Sequence, residues 1–404
     1  MTAFDFSRFR VSALKCGGWA LAAALLAFAP EAQAARAYIG TYTPPPGGGR
    51  SDANGEGIYL VDVDDATGVP SKPRLMAKAY SPSWITVSED GKYLYAVNET
   101  SSYPEKSGGV SAYAIDPQTG ALALINTVSS RGAGPCHLSL HAGGKYLLVA
   151  NYAGGTFSAF KIERNGVIGE AVHVIAPGGP LSTEPAAQNP PGQFQRSDHS
   201  GSHAHMIGPD PTGQYVIGDD AGRDQIFVWK MDEATDKLVE QSVTKSPPGS
   251  APRHFVFSPD GKRMYQLQEQ DSRLAVYDFA DGKLTQKGGT VSALPDGYEG
   301  SSIASELLIS KDGKFLYFGN RGQDSIGVFA ADANGVRRIA NVSTEGNNPR
   351  SLTLDPTGKF LYSLNQRVDH VTTFRIGADG IPKFTGKYMG IGSPAVMAFL
   401  PDVK

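Results

Sequence analysis

Short apolar runs, rich in β-branched and aromatic residues, are cut along this chain by Asp-Gly and Thr-Gly pairs, and no run sustains the 3.6-residue period of an amphipathic helix. One stretch reads His254-Phe255-Val256-Phe257-Ser258, then Pro259-Asp260-Gly261-Lys262, then Arg263 to Gln268. Leu274 to Phe279 follow, then Asp281-Gly282 and a last run from Lys283. Glycine readily takes the positive φ of a tight hairpin turn, so the pattern predicts strand, turn, strand, connection, strand, turn, strand.

The pattern repeats. Asp90-Gly91-Lys92-Tyr93-Leu94-Tyr95 returns as Gly143-Gly144-Lys145-Tyr146-Leu147-Leu148, as Asp312-Gly313-Lys314-Phe315-Leu316-Tyr317 and as Thr357-Gly358-Lys359-Phe360-Leu361-Tyr362. Thr212-Gly213-Gln214-Tyr215 and Asp260-Gly261-Lys262 complete the set, and the shared glycines lie 53, 69, 48, 52 and 45 residues apart. Four strands in a unit of this length make a β-propeller blade. Six full units start near Pro82, Pro135, Ala204, Pro252, Ala304 and Pro349. A seventh begins at Pro394 and stops where its hairpin should come, while Ala37 to Tyr42 reads like the missing second strand. The expected fold is therefore all-β: a seven-bladed propeller over residues 35–404, its last blade joining the two ends so that no sheet edge stays open. Six blades with a decorated N-terminus is the alternative.

The first 34 residues read as an address. Arg8, Arg10 and Lys15 precede the apolar stretch from Trp19 to Ala29, and Ala32-Gln33-Ala34 has the small-x-small pattern of a cleavage site. The stretch is short for a membrane span, which takes about 20 apolar residues, and Cys16 stands before it, against a lipoprotein anchor. The expectation is a signal peptide over residues 1–34 and a periplasmic or secreted product without a membrane span. Beyond it only Cys136 remains, so an intrachain disulfide is impossible. Glycine at 48 and proline at 27 of 404 residues suit a turn-rich β protein. A formal charge of −3 with no basic stripe argues against nucleic-acid binding.

The shared glycine also serves as a ruler. Eight residues before it, at the start of each first strand, stand Ser83, Cys136, His205, Arg253, Ser305 and Arg350; next come Trp84, His137, Met206, His254, Glu306 and Ser351. Seven residues after it stand Asn98, Asn151, Asp220, Gln268, Asn320 and Asn365, and then Glu99, Tyr152, Ala221, Glu269, Arg321 and Gln366. An antiparallel hairpin sets the start of one strand beside the end of the next, so all four sets meet at one mouth of the central channel. The turn end is monotonous and the mouth varies from blade to blade. The recurring asparagines read as turn ligands. His205, Arg253, Glu269 and Arg321 are harder to place as packing, since Arg and Glu seldom line a wall without a partner.

Other motifs are weak. His203-Ala204-His205 offers two imidazoles at period two, but no third ligand has convincing spacing, and neither metal nor cofactor is expected. A Gly-x-Ser-x-Gly elbow is missing, which removes support for a serine hydrolase. Pro44 to Gly57 is a Gly-rich loop without a Walker pattern. Pro177 to Ser202, rich in Pro, Gly, Ser and Gln, reads as a lid, a binding loop or a disordered insertion.

These residues resemble the bacterial lactonase family of seven-bladed propellers, which includes the propeller-type 6-phosphogluconolactonase and is related to fungal carboxymuconate cyclase. The likeness is carried by His203-Ala204-His205, Ala251-Pro252-Arg253-His254-Phe255 with Gln268-Glu269, Ser305-Glu306-Leu307 with Asn320-Arg321-Gly322, and Asn348-Pro349-Arg350. Pro82-Ser83-Trp84 with Asn98-Glu99 fits as well. The resemblance implies a catalytic set of His205, Arg253, Glu269 and Arg321. His137, His254, Glu306, Arg350 and Glu99 are the expected substrate-binding residues around it. The chain departs from the family in Gln268 before Glu269, and in an export signal that does not suit a cytosolic sugar-phosphate pathway.

The expected activity is hydrolysis of a sugar-type lactone, with a phosphorylated aldonolactone as the default and His205 or Glu269 as base. A cyclase or isomerase of an unsaturated dicarboxylic acid is the second expectation, and a non-catalytic periplasmic binding or scaffold propeller the third. The expected partner is the small lactone alone, bound by a monomer or dimer.

Overall fold

The computed structural model describes Met1 and residues 35–44, 53–103, 106–181, 184–333 and 335–401. The expected signal peptide, apart from Met1, lies outside the described residues. From Ala35 on, they form seven antiparallel sheets, all within one unit, Ala34–Lys404.

Blade one is built from Ile85–Val87, Tyr93–Asn98, Gly109–Ile115 and Leu122–Ser129, and blade two from Pro135–Leu140, Tyr146–Asn151, Thr156–Ile162 and Ile168–Ile175. Blade three comprises Ala204–Pro209, Tyr215–Asp220, Gln225–Asp232 and Lys237–Lys245. Blade four holds Pro252–Phe257, Arg263–Gln268, Arg273–Ala280 and Lys283–Gln286, with the short strand Val291–Ser292 added beside the third. Blade five runs through Ile303–Ile309, Phe315–Arg321, Ser325–Asp332 and Gly335–Ser343, and blade six through Pro349–Leu354, Phe360–Asn365, His370–Ile376 and Pro382–Gly390.

Blade seven joins Pro394–Phe399 to Ala35–Thr41, Gly57–Val63 and Arg74–Lys78. Ala37 pairs with Phe399 and Ile39 with Met397, so the ring closes through both ends of the chain. The expectation of seven blades holds and the six-bladed alternative does not. The first strands touch their neighbours in an unbroken cycle around the ring, and that cycle is the wall of the channel.

The core lies between blades rather than within them. Tyr146 and Leu148 of blade two pack on Ile207 and Trp229 of blade three, and Ile217 and Val228 on Phe255 and Tyr277 of blade four. Equivalent clusters fill the five remaining contacts. Burying a side chain of this size contributes about 1.5–3 kcal/mol, so the ring is held mainly by these seams.

Five of the six repeated turns, all but the Gly143-Gly144 turn of blade two, are built with two chemistries. In the Ser-x-Asp-Gly-Lys version, the Ser88, Ser258 and Ser310 hydroxyls accept from the amides of Tyr93, Arg263 and Phe315, each at 3.0 Å. In the Asp-Pro-Thr-Gly version a carboxylate does the same work, with Asp210 accepting from the Tyr215 amide at 2.8 Å and Asp355 from Phe360 at 2.6 Å. Gly261 and Gly358 sit at φ of 68° and 73°, a conformation that favours glycine. These residues close hairpins and stand away from the channel mouth.

Candidate functional site

A β-bulge at the start of the first strand aims the mouth residues. In blade four Pro252 pairs with Gln268 and His254 with Leu267, so Arg253 is left unpaired between them. The same shift leaves Cys136, His205 and Arg350 unpaired in their blades, and Ser305 with Glu306 in blade five. Strict alternation would send successive side chains to opposite faces. The extra residue breaks that alternation, and both Arg253 and His254 make contacts at the mouth.

The second strand supplies the facing set. The amides of Glu99, Tyr152 and Glu269 donate to the carbonyls of Ser81, Gly134 and Ala251, residues that precede the first strands. Tyr42 does the same to Ser393 in blade seven. The neighbouring asparagines are structural: Asn98, Asn151, Asn320 and Asn365 each donate to a carbonyl of the preceding connection.

Two ionic groups result. Glu269 stands between two guanidiniums, with Arg253 Nε 3.2 Å from Oε2 and Arg321 Nη2 3.0 Å from Oε1. Arg321 Nη2 also donates to the Ala304 carbonyl at 2.5 Å. Arg253 is fully buried, and none of its three nitrogens has an aligned hydrogen bond among the described residues. Burial, with Arg350 and Arg321 nearby, weighs against its charge, but a guanidinium stays protonated under such a load.

Across the mouth, Glu99 accepts from the Tyr42 hydroxyl at 2.9 Å and from Ser83, while Arg350 Nε donates to the Tyr42 oxygen at 3.0 Å. Burial, with Glu99 adding to it, pushes the Tyr42 phenol up to about 12. Burial opposes the charge on Arg350, but Tyr42 and Glu99 outweigh it and raise its pKa.

Three imidazoles complete the wall. The His254 ring lies 5.2 Å from His205 and 5.6 Å from His137, and Trp84 covers His137 at 4.5 Å. Burial holds all three well below the ordinary histidine value; His254 adds to this at His137, and Arg253 does so at His205 and His254. They are neutral at pH 7. His254 Nδ1 lies 2.7 Å from Glu306 Oε1, and Glu306 also accepts from the Leu307 amide and the Ser351 hydroxyl. His205 is within 4.0 Å of the Cys136 sulfur and edge-on to Tyr152 at 5.4 Å.

All nine residues expected at the mouth therefore gather there, although His205 makes no hydrogen bond or ion pair with Arg253, Glu269 or Arg321 among the described contacts. Reasoning from the chain alone passed over Tyr42, which holds Arg350, and Tyr152, whose ring touches His205. Counting the second-strand position on the N-terminal strand would have found Tyr42. His203 turns elsewhere: its Nδ1 meets the Tyr152 carbonyl at 2.9 Å and its Nε2 lies 3.3 Å from Asp198. Among the described residues no group of three or more His, Cys, Asp and Glu side chains is placed to hold a metal ion.

The part of the Pro177 to Ser202 segment that follows residue 183 lies over blades four and five as a strap. Gly300 donates to Pro191, Ser302 to Gln193, and the Ser197 amide to Gln270 at 2.7 Å. Gln270 follows Glu269 directly, so the strap is fastened beside the ion pairs. A groove of about 510 Å³ near Tyr80 and Leu124 carries, among the described residues, only Glu56 and Lys78 as charged groups. The chemistry is concentrated in the channel.

Residues 36–399 match the family described as lactonase, 7-bladed beta-propeller. The 6-phosphogluconolactonase of Bacillus subtilis is 30% identical over 79% of this chain and 85% of its own. That of Formosa agariphila is 30% identical over 75% and 83%. Among solved structures, the periplasmic gluconolactonase of Pseudomonas aeruginosa superposes with a TM-score of 0.79 at 29% identity, covering 91% of this chain and 99% of the other.

Proposed function

This chain belongs to the seven-bladed β-propeller lactonase family, and from that premise we propose that it hydrolyses a sugar-type lactone at the channel mouth. The observation that carries the reading is the Arg253–Glu269–Arg321 group. Two guanidiniums held on one carboxylate offer planar donor forks to a carbonyl oxygen as it becomes an oxyanion. Both Glu269 oxygens are engaged by cations, which leaves it poorly placed to accept a proton. The proton of the attacking water then goes to a neutral imidazole of the channel, where His205 holds the position that the family resemblance assigns. A general base of this kind contributes about 10²- to 10⁴-fold.

Arg350, Glu99 and His137 would surround the rest of the sugar. The relatives' names bracket the substrate between phosphorylated and free aldonolactones. The leader-like first 34 residues and the periplasmic relative support export and a free aldonolactone. Among the described residues no helix is long and apolar enough to cross a membrane.

The test is hydrolysis of phosphorylated and unphosphorylated aldonolactones by the purified protein, beside Arg253→Ala and Glu269→Gln. Both substitutions are expected to abolish turnover in folded protein. Full activity in both would remove this site.

A further inference from the structure

Of the three channel imidazoles, only His254 has a carboxylate partner among the described residues. Resting on the lactonase reading, we infer that His254, oriented by Glu306, takes the place of His205 as the proton carrier of the reaction.

The geometry is that of a base held by an acid. Glu306 is buried, and both of its oxygens accept: Oε1 from the Leu307 amide at 3.0 Å, Oε2 from the Ser351 hydroxyl at 3.1 Å. With Glu306 ionised and accepting on both oxygens, against a burial that raises its pKa, the hydrogen of the 2.7 Å contact sits on His254 Nδ1, which donates it. The proton on Nδ1 leaves Nε2 as a bare lone pair. Nε2 is buried and has no hydrogen-bond partner among the described residues. Leaving such an atom unpaired costs about 1–3 kcal/mol, a cost accounted for if the lone pair is used to take a proton.

The neighbours lack this equipment. His137 Nδ1 is turned to the Ile207 amide at 3.5 Å, and His205 faces Cys136, Tyr152 and the ring of His254. Neither makes a hydrogen bond or ion pair with a carboxylate among the described residues. A base fixed in tautomer and direction by a third group is the recurrent arrangement of acyl-transfer sites.

The step balances. Nε2 takes a proton from water as the water oxygen bonds to the lactone carbonyl carbon. The carbonyl electron pair becomes an oxyanion facing Arg253 and Arg321. The oxyanion then collapses, the ring carbon–oxygen bond breaks, and the ring oxygen takes the proton back from Nε2. The product is the open hydroxy acid, whose carboxyl proton passes to solvent. Glu306 acts as a positioning residue that also stabilises the transient imidazolium.

The experiment is steady-state hydrolysis, from pH 3 to 8, of the aldonolactone the protein turns over best. Glu306→Gln should lower kcat at least about 100-fold with KM within about threefold. Besides Glu306, the groups facing His254 are His137, His205, Arg253, Arg321 and Arg350. All are unaltered in the variant, so loss of the carboxylate should move the acid limb of kcat/KM down by about one pH unit. A purely structural role would leave that limb in place. Ser351→Ala, which removes one donor from Glu306, should lower kcat about three- to tenfold, and it carries the test if Glu306→Gln does not fold. Wild-type kcat in either folded variant, or a change confined to KM, overturns the assignment and leaves the lactonase reading standing. A parent protein that opens no lactone overturns both.

Discussion

Arg350 Nε donates to the hydroxyl of Tyr42 across 3.0 Å, joining a first strand of blade six to the strand that begins the folded chain. The same hydroxyl donates to Glu99 in blade one at 2.9 Å. Tyr42 therefore links the two blades that flank the closing seam of the ring. It also holds Arg350 by the inner nitrogen, which leaves the outer fork of the guanidinium for an anionic or hydroxyl-bearing ligand.

Tyr42→Phe keeps the ring and removes only these two hydrogen bonds. Each is a bond to a charged group, so binding energy of about 1.5 kcal/mol is at stake, equivalent to roughly a tenfold rise in KM. Because Tyr42 makes no hydrogen bond or ion pair with Arg253 or Arg321 among the described contacts, kcat should stay within about threefold. Steady-state kinetics check the split, and a loss in kcat alone would place Tyr42 in the chemistry instead.

Arg321→Lys tests whether the clamp needs a fork or only a charge. Arg321 Nη2 touches Glu269 and the Ala304 carbonyl while the rest of the group remains available. An ammonium keeps the charge but presents no planar pair of donors. Activity should fall about 10- to 100-fold with little change in melting temperature. Retained kcat/KM would show that charge suffices.

Much of this arrangement could be read from the chain, and the part that could not has a physical cause. The turn glycine works as a ruler because each hairpin has the same length, so residues at equal offsets share a level in the ring. Alternation, however, puts neighbours such as Arg253 and His254 on opposite faces. They come together only because Arg253 is the extra residue of a bulge, and a bulge is defined by the partner strand. The His254–Glu306 contact spans two blades, and no spacing along the chain encodes it. Tyr42 was hidden because its blade is assembled from both ends.

Gln270→Ala should loosen the strap. Its side chain accepts from the Ser197 amide at 2.7 Å and donates to Asn189 at 3.1 Å and to the Gln195 carbonyl at 3.2 Å. Losing these contacts lowers the cost of local opening by about 1.5 kcal/mol or more. Limited proteolysis between Pro180 and Ser202 should then run about tenfold faster, while the melting temperature of the ring changes little. An unchanged cleavage rate would show that the other fastenings suffice.

Asp271→Asn should stabilise the protein at high pH and not at low pH. Asp271 follows Gln270 in the turn; it is buried, and its Oδ1 has no hydrogen-bond partner among the described residues. Burial raises its pKa to about 7, with Arg273 opposing and Asp224 assisting. The folded value lies above that of the unfolded chain, so the folded state binds the extra proton. Below the unfolded value, near 3.9, both states are protonated and nothing is lost. Between there and about pH 7 the folded protein pays progressively for keeping or shedding that proton, and above pH 7 the loss is complete, at most about 4 kcal/mol. Asparagine has the same shape and no charge to bury. The variant should therefore melt several degrees higher than the parent at pH 8 and nearly with it at pH 4.5. Equal melting temperatures at both values would mean that Asp271 is ionised and satisfied by Arg273 in the folded ring.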